Sequence, residues 1–243
     1  MAKNIIKKEN ATPVEYQEGV AWGSEQIDAE DIILPKLMLM QALSEFVDEG
    51  NAVAGQWIDS LEQDMIADVG KEFSLIIFGF DKAIEVYVND KYDRTEAFSS
   101  NYEREERDMQ DNIVQRRVRQ HFYGLRPEDI AKGEAFPYVL NLRSTAVAEG
   151  KKLTTAFKKL EAFGKPCAAR HIVVGTKKSK NDKGSWYTPT FKLSKTDSTT
   201  EEMNTAYKWY QALMAKKLKV DESDLETTKE VKQVVSNLED IPV

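Results

Sequence analysis

Cys167 and His171 are the first pair to weigh, because a thiol and an imidazole four residues apart could form a nucleophile with its base. The run Cys167-Ala-Ala-Arg-His-Ile-Val-Val174 reads as a strand, where positions i and i+4 share a face but lie ~13 Å apart. That is beyond hydrogen-bond reach, so the pair does not make a catalytic couple. Asp108 and Asp111, with Glu103, Glu105 and Glu106, could gather a divalent cation as in a metal-dependent nuclease. Arg104 and Arg107 interleave with them, however, and the cluster reads as salt-linked, solvated positions. One Cys and two His are too few for the common zinc ligand sets. No glycine-rich phosphate loop, zinc motif or serine-centred elbow occurs. The expectation is a chain with no catalytic residues, no metal and no cofactor.

Binding chemistry is better represented. Lys177, Lys178, Lys180 and Lys183 crowd one turn-rich loop, and Trp186 and Tyr187 follow at once. Lysines supply mobile point charges for a flexible phosphate backbone. Aromatic rings supply stacking faces for bases, worth roughly 1–3 kcal/mol per base without sequence preference. Arg143, Arg170 and Lys192 flank this loop on neighbouring strand candidates and extend a groove. Lys151, Lys152, Lys158 and Lys159 add charge from the helix between them. A second basic–aromatic cluster joins Arg116, Arg117 and Arg119 to His121-Phe-Tyr123.

The charge distribution agrees. The 243 residues carry a formal charge of −7, yet residues 143–195 hold 13 Lys/Arg against 3 Asp/Glu. Residues 1–90 hold 6 against 18, and residues 221–243 hold 2 against 7. A local field of that sign suits a polyanion, whatever the net charge of the whole. A solvated lysine face is the plainer account of the same block.

Around these residues the chain predicts the following elements. The first 30 residues are polar and aperiodic, and read as a flexible arm. Ile32 to Val47 is apolar and ambiguous between a buried strand and a short helix, with Met38 and Met40 as core filler. Phe73–Phe80 and Ala83–Val88 are rich in Ile, Val, Phe and Tyr and read as strands. Residues 92–120 are highly charged and read as a solvated helix or a mobile insertion. Pro137–Arg143 is a short strand, and Ser144 is placed to cap the helix after it. Leu153, Ala156, Phe157 and Leu160 give that helix an apolar stripe, and Gly164 with Pro166 ends it. Two strands joined by the basic loop follow, and Pro189 makes the second an edge strand. A helix over residues 203–216 repeats Tyr207, Tyr210, Leu213 and Met214 as a packing stripe. In the acidic last stretch, Val231, Val234, Val235 and Leu238 form a fainter stripe at helical spacing.

The order of strands, helix and hairpin is that of an OB-fold, whose loops and sheet face bind oligonucleotides. The fold expected is therefore α+β, an OB-like antiparallel β core with inserted and flanking helices. Its divisions are an arm at 1–30, a nucleic-acid-binding domain at 31–195 carrying the insertion near 92–120, a packing helix at 196–220, and an acidic tail at 221–243.

The last residues, Leu238-Glu239-Asp240-Ile241-Pro242-Val243, resemble the C-terminal tip of bacterial and bacteriophage single-stranded DNA-binding proteins, which ends in Asp-Asp-Ile-Pro-Phe. In that family the tip is a docking peptide for replication, repair and recombination proteins. The resemblance implies that Glu239, Asp240, Ile241, Pro242 and Val243 meet a basic, apolar pocket on such partners. Val243 stands where the family has Phe, a smaller apolar anchor.

The function expected is a phage-type single-stranded DNA-binding protein that coats and protects the strand, recruits partners through its tail and forms homo-oligomers. Two other readings keep the same residues: a strand-binding cofactor of viral transcription or annealing, and an interaction or scaffold protein for an acidic partner. No apolar run approaches the ~20 residues of a membrane helix, and the first residues carry no signal-peptide stretch. The setting expected is the cytoplasm, of a host cell if the protein is viral.

Overall fold

The structure, a computed structural model, describes residues 32–182 and 184–215 and the backbone of 219–220. The chain opens with β1 (Ile33–Leu34), β2 (Lys36–Leu39), α1 (Glu45–Asp48), β3 (Trp57–Asp59) and β4 (Met65–Ala67). The long β5 (Phe73–Val88) is followed by β6 (Lys91–Ala97), β7 (Glu105–Arg107) and β8 (Ile113–Leu125). Next come α2 (Pro127–Lys132), β9 (Tyr138–Leu142), α3 (Ala146–Ala162), β10 (Arg170–Asn181) and β11 (Gly184–Asp197). The last elements are α4 (Thr200–Met214) and β12 (Lys219–Val220), which pairs in parallel with β1.

Ten strands form one sheet in the order β11-β10-β5-β8-β9-β2-β3-β4, with β6 added to β5 and β7 to β8. Among the described residues, the β2–β9 pairing is the one parallel pairing within this sheet. The result is an α+β architecture on a curled, mixed half-barrel.

The unbroken apolar run in β5 follows from burial on both faces. Leu75 and Ile77 point into the concave side, where α3 lays Leu153 and Phe157 against Trp57, Phe73, Phe122 and Leu140. Ile76 and Phe78 point the other way and meet Met203, Ala206, Trp209 and Leu213 of α4. A bulge lies between Ile77 and Gly79, and a Cβ on Gly79 would stand 2.4 Å from Leu213, so glycine sets how closely α4 approaches. Met38 and Met40 fill a third, smaller core with Phe46 and Ile58.

Several expectations need correction. Residues 92–120 are not a helix. They build β6, β7 and the first part of β8, and with the outer half of β5 they make a four-stranded arm around Ile84, Val86 and Val114. The turn that starts the arm is Asn89-Asp90, both at positive φ (48° and 63°), the two-residue turn that matches strand twist. Ser144 does not cap α3: it takes a left-handed φ of 47°, and Thr145 precedes the helix without a side-chain cap. The other end is as expected. Gly164 is left-handed at φ 68°, and Lys165 and Gly164 N–H groups donate to the Leu160 and Glu161 carbonyls.

The stripe on α4 also differs. Met203, Ala206, Trp209 and Leu213 face the sheet, while Tyr207, Tyr210 and Met214 face outward. Among the described residues no helix is long and apolar enough to cross a membrane.

Candidate functional site

The basic loop is a projecting ribbon. Only Ile172–Val174 of β10 pair with β5; from Gly175 onward β10 bonds to β11 alone, as far as Asn181 opposite Gly184. Its base is clamped from the far side of the half-barrel. The Gln41 side chain donates from Nε2 to the Tyr187 carbonyl (3.0 Å) and accepts the Tyr187 N–H at Oε1 (2.9 Å). One amide thus serves as a strand partner for β11.

Register sorts the ribbon's side chains by face. Tyr187 lies opposite Lys178 and joins the partly buried side chains on the concave core; its ring lies against Gly55, where a Cβ would stand 2.6 Å from Cε1. Tyr187 is therefore a packing residue as well as a basic-loop neighbour. Trp186, opposite Ser179, points to the other face, and Lys177 lies diagonally from it. The two consecutive aromatics do not present one joint stacking surface.

The remaining sequence-selected cations divide by partner. Lys192 bonds Glu72 at 2.9 Å, Arg170 bonds Asp197 at 2.9 Å, Lys158 bonds Glu161 at 2.6 Å and Lys152 bonds Glu149 at 2.5 Å. Lys151, Lys159, Lys177, Lys178 and Lys180 are exposed, with no carboxylate partner among the described residues. Lys183 and the tip residues Glu239, Asp240, Ile241, Pro242 and Val243 lie outside the described residues, as do the 1–30 arm and the tail.

Arg143 belongs to a different group, on the face of the sheet opposite α3. Its Nη2 stands 2.8 Å from Oε1 of Glu85, which is almost wholly buried, and Arg119 reaches the same oxygen at 3.6 Å. Beside them Arg117 lies over the Tyr87 ring, 4.4 Å from its centroid, and Tyr92 meets Tyr87 edge-on at 6.0 Å. Arg117 and Tyr92 are exposed. This arm face combines guanidinium charge with accessible rings, and sequence reasoning missed its tyrosines. Burial, with the charges of Arg119, Arg143 and Lys36, drives His121 down to about 3, so it is neutral over the working pH range.

The cluster of Arg116, Arg117 and Arg119 with His121-Phe-Tyr123 is not one surface. His121, Phe122 and Tyr123 are buried, and Arg116 turns to the other face to pair with Glu106 (2.7 Å) and Glu96 (3.7 Å).

Of the acidic positions that could gather a cation, Asp108 and Asp111 are used structurally. Asp108 accepts the backbone N–H groups of Gln110 and Asn112 and so closes the β7–β8 turn. Asp111 pairs with Arg107 at 2.8 Å. Among the described residues no group of three or more His, Cys, Asp or Glu is placed to hold a metal ion. His171 faces Glu202 at 3.2 Å, not Cys167.

Comparison with known proteins adds one match: residues 3–219 fit the family described as Pam3 phage gp34-like protein. The chain belongs to that family. No curated protein and no solved structure matches it. A phage origin is what the family name supports for this gp34-like chain. Its two basic–aromatic surfaces are the ribbon, where exposed lysines flank the half-buried Trp186, and the arm, where Arg117 and Tyr92 are exposed.

Proposed function

We propose that this gp34-like protein binds single-stranded nucleic acid, with single-stranded DNA of a phage replication or recombination intermediate as its ligand. The ribbon carries the reading: three lysines without carboxylate partners among the described residues share one narrow projection with Trp186. Lysine charge neutralises phosphates, and an indole stacks on any base.

The topology supports the same reading. The sheet order β11-β10-β5-β8-β9, with α3 between β9 and β10, follows the strand sequence of an OB barrel, numbered there 5-4-1-2-3. In that correspondence the arm stands at the first inter-strand loop and the ribbon at the last, the two loops OB-folds use with the face of strands 2 and 3. Here strands 2 and 3 correspond to β8 and β9, and Arg117, Arg119 and Arg143 lie on their outer side. A strand running from Trp186 and Lys177 to Tyr92 and Arg117 would have to pass α4, which covers Ile76 and Phe78 on the same side of the sheet. The β2, β3 and β4 strands are additions to the plan.

The proposed role is binding and presentation of the strand, with no chemical step, and the terminal Glu239–Val243 peptide serves to recruit partner proteins in the host cytoplasm. The test is fluorescence anisotropy with a labelled ~30-nucleotide single strand and its duplex at two salt concentrations. Tight, salt-sensitive binding to the single strand and weak binding to the duplex is expected. Absence of binding to either at low salt and micromolar protein sinks the reading and leaves the basic block to an acidic protein partner.

A further inference from the structure

The outward face of α4 carries an apolar stripe that belongs to no core cluster among the described residues. Tyr207, Tyr210 and Met214 are 59%, 39% and 56% exposed, at spacings of three and four residues. The two tyrosine rings stack on each other with centroids 6.3 Å apart. Exposed apolar side chains are ordinary one at a time, but a stripe along one helix face is the pattern of a buried contact.

The chain itself carries a matching stripe. Val231, Val234, Val235 and Leu238 repeat at three, one and three residues and span seven residue steps, as Tyr207 to Met214 do. Seven steps of helix are ~10 Å, so the two stripes have equal length. The backbone at Val220 is fixed beside Leu34 by the β1–β12 pairing. From there residues 221–230 provide a tether of up to ~33 Å, longer than the whole of α4 at ~22 Å.

We propose that the segment 231–238 folds back as a helix and docks on this face of α4. Antiparallel docking sets Leu238 beside Tyr207, the two central valines beside Tyr210, and Val231 beside Met214. It also brings Glu239 and Asp240 toward Lys208, which is exposed on the same helix. A helix of this length with several β-branched residues is unstable alone, so it forms only on contact. The terminal peptide is then held against the body and released when the stripe lets go. The inference needs no nucleic acid and stands apart from the binding function proposed above.

Hydrogen exchange of the full chain, read by mass spectrometry at dilute concentration, tests it against a free peptide of residues 221–243. Amides of 231–238 are expected to exchange about tenfold or more slowly than in the peptide. The variant Tyr207→Ser/Tyr210→Ser/Met214→Ser should return them to the peptide rate while the sheet keeps its protection. Should that variant fail to fold, Val234→Ser/Val235→Ser in the tail must abolish the protection and leave the body intact. Peptide-like exchange in the wild type overturns the proposal, as does protection indifferent to either variant. Protection that disappears on dilution together with a sedimenting dimer also overturns it, in favour of docking between two copies.

Discussion

Trp186 and Tyr187 are neighbours in sequence and opposites in space, and their substitution should separate binding from stability. Tyr187→Ala removes a ring lodged between Gly55 and the concave core, and should cost about 2–3 kcal/mol in a denaturant titration. Trp186→Ala, at a half-buried ring that belongs to no core cluster among the described residues, should cost less stability than Tyr187→Ala and lower single-strand affinity about tenfold in anisotropy, the loss of one stacked base. Gly55 tests the same contact from the other side. At φ 97°, with the Tyr187 ring where its Cβ would be, Gly55→Ala is expected to destabilise the fold by about 1–3 kcal/mol by thermal unfolding. The residue types needed for strand binding were legible in Lys177–Tyr187. Which ring faces out was not, because alternation gives two faces and only the core partner, here Gly55 and Phe73, says which is inner. Tyr87 lies in the expected strand Ala83–Val88 and Tyr92 in the charged segment after it; their pairing was missed because Asn89-Asp90, a hairpin signal between strand-like residues, was not used.

Among the elements, α3 was readable and α4 was half-readable, for a definite reason. The α3 stripe has lysines on both flanks, so only one face can be buried. On α4, Met203-Ala206-Trp209-Leu213 and Tyr207-Tyr210-Met214 both recur at helical spacing, and periodicity alone cannot choose between them. The small side chain of Ala206 and the bulge at Gly79 make the choice. What holds the start of α4 is a capping box: Thr199 accepts the Glu202 N–H at 3.2 Å, and Glu202 accepts the Thr199 N–H at 2.6 Å. Burial pushes the Glu202 carboxyl up, but the Thr199 amide and His171 outweigh it and hold it below its ordinary value of 4.5. A depressed acid favours the folded state when ionised, so this contribution is complete above pH 4.5 and fades as pH falls through the lower folded value. Thermal unfolding between pH 7 and pH 3 should therefore lose less stability on the acid limb in Glu202→Gln than in the wild type. Equal acid limbs would mean that the carboxylate contributes nothing to seating α4.

At the scale of the molecule, the helix-then-hairpin order was legible, whereas the half-barrel's closure through Gln41 was not, since one side-chain amide acting as a strand leaves no periodic trace. The curled sheet puts the ribbon and the arm at opposite ends of β5, whose fifteen residue steps span ~50 Å before curvature. If one strand contacts both ends, the two ends must respond differently to charge and to ligand length. Removing Lys177, Lys178 and Lys180 together should make the log–log salt slope shallower by about 2, since each neutralised phosphate on a single strand contributes roughly 0.7. Trp186→Ala should weaken binding at unchanged slope, because stacking releases no counterions. Arg117→Ala should weaken binding of a ~30-nucleotide strand further, and additively with Trp186→Ala, because the two sites share no partner. With an oligonucleotide of about four nucleotides, the short limit for one OB-type site, the ligand reaches only one end. Arg117→Ala should then have no effect on an oligomer whose binding still depends on Trp186. Equal sensitivity of short and long strands to Arg117 would confine the site to one end of the sheet and separate the arm from strand binding.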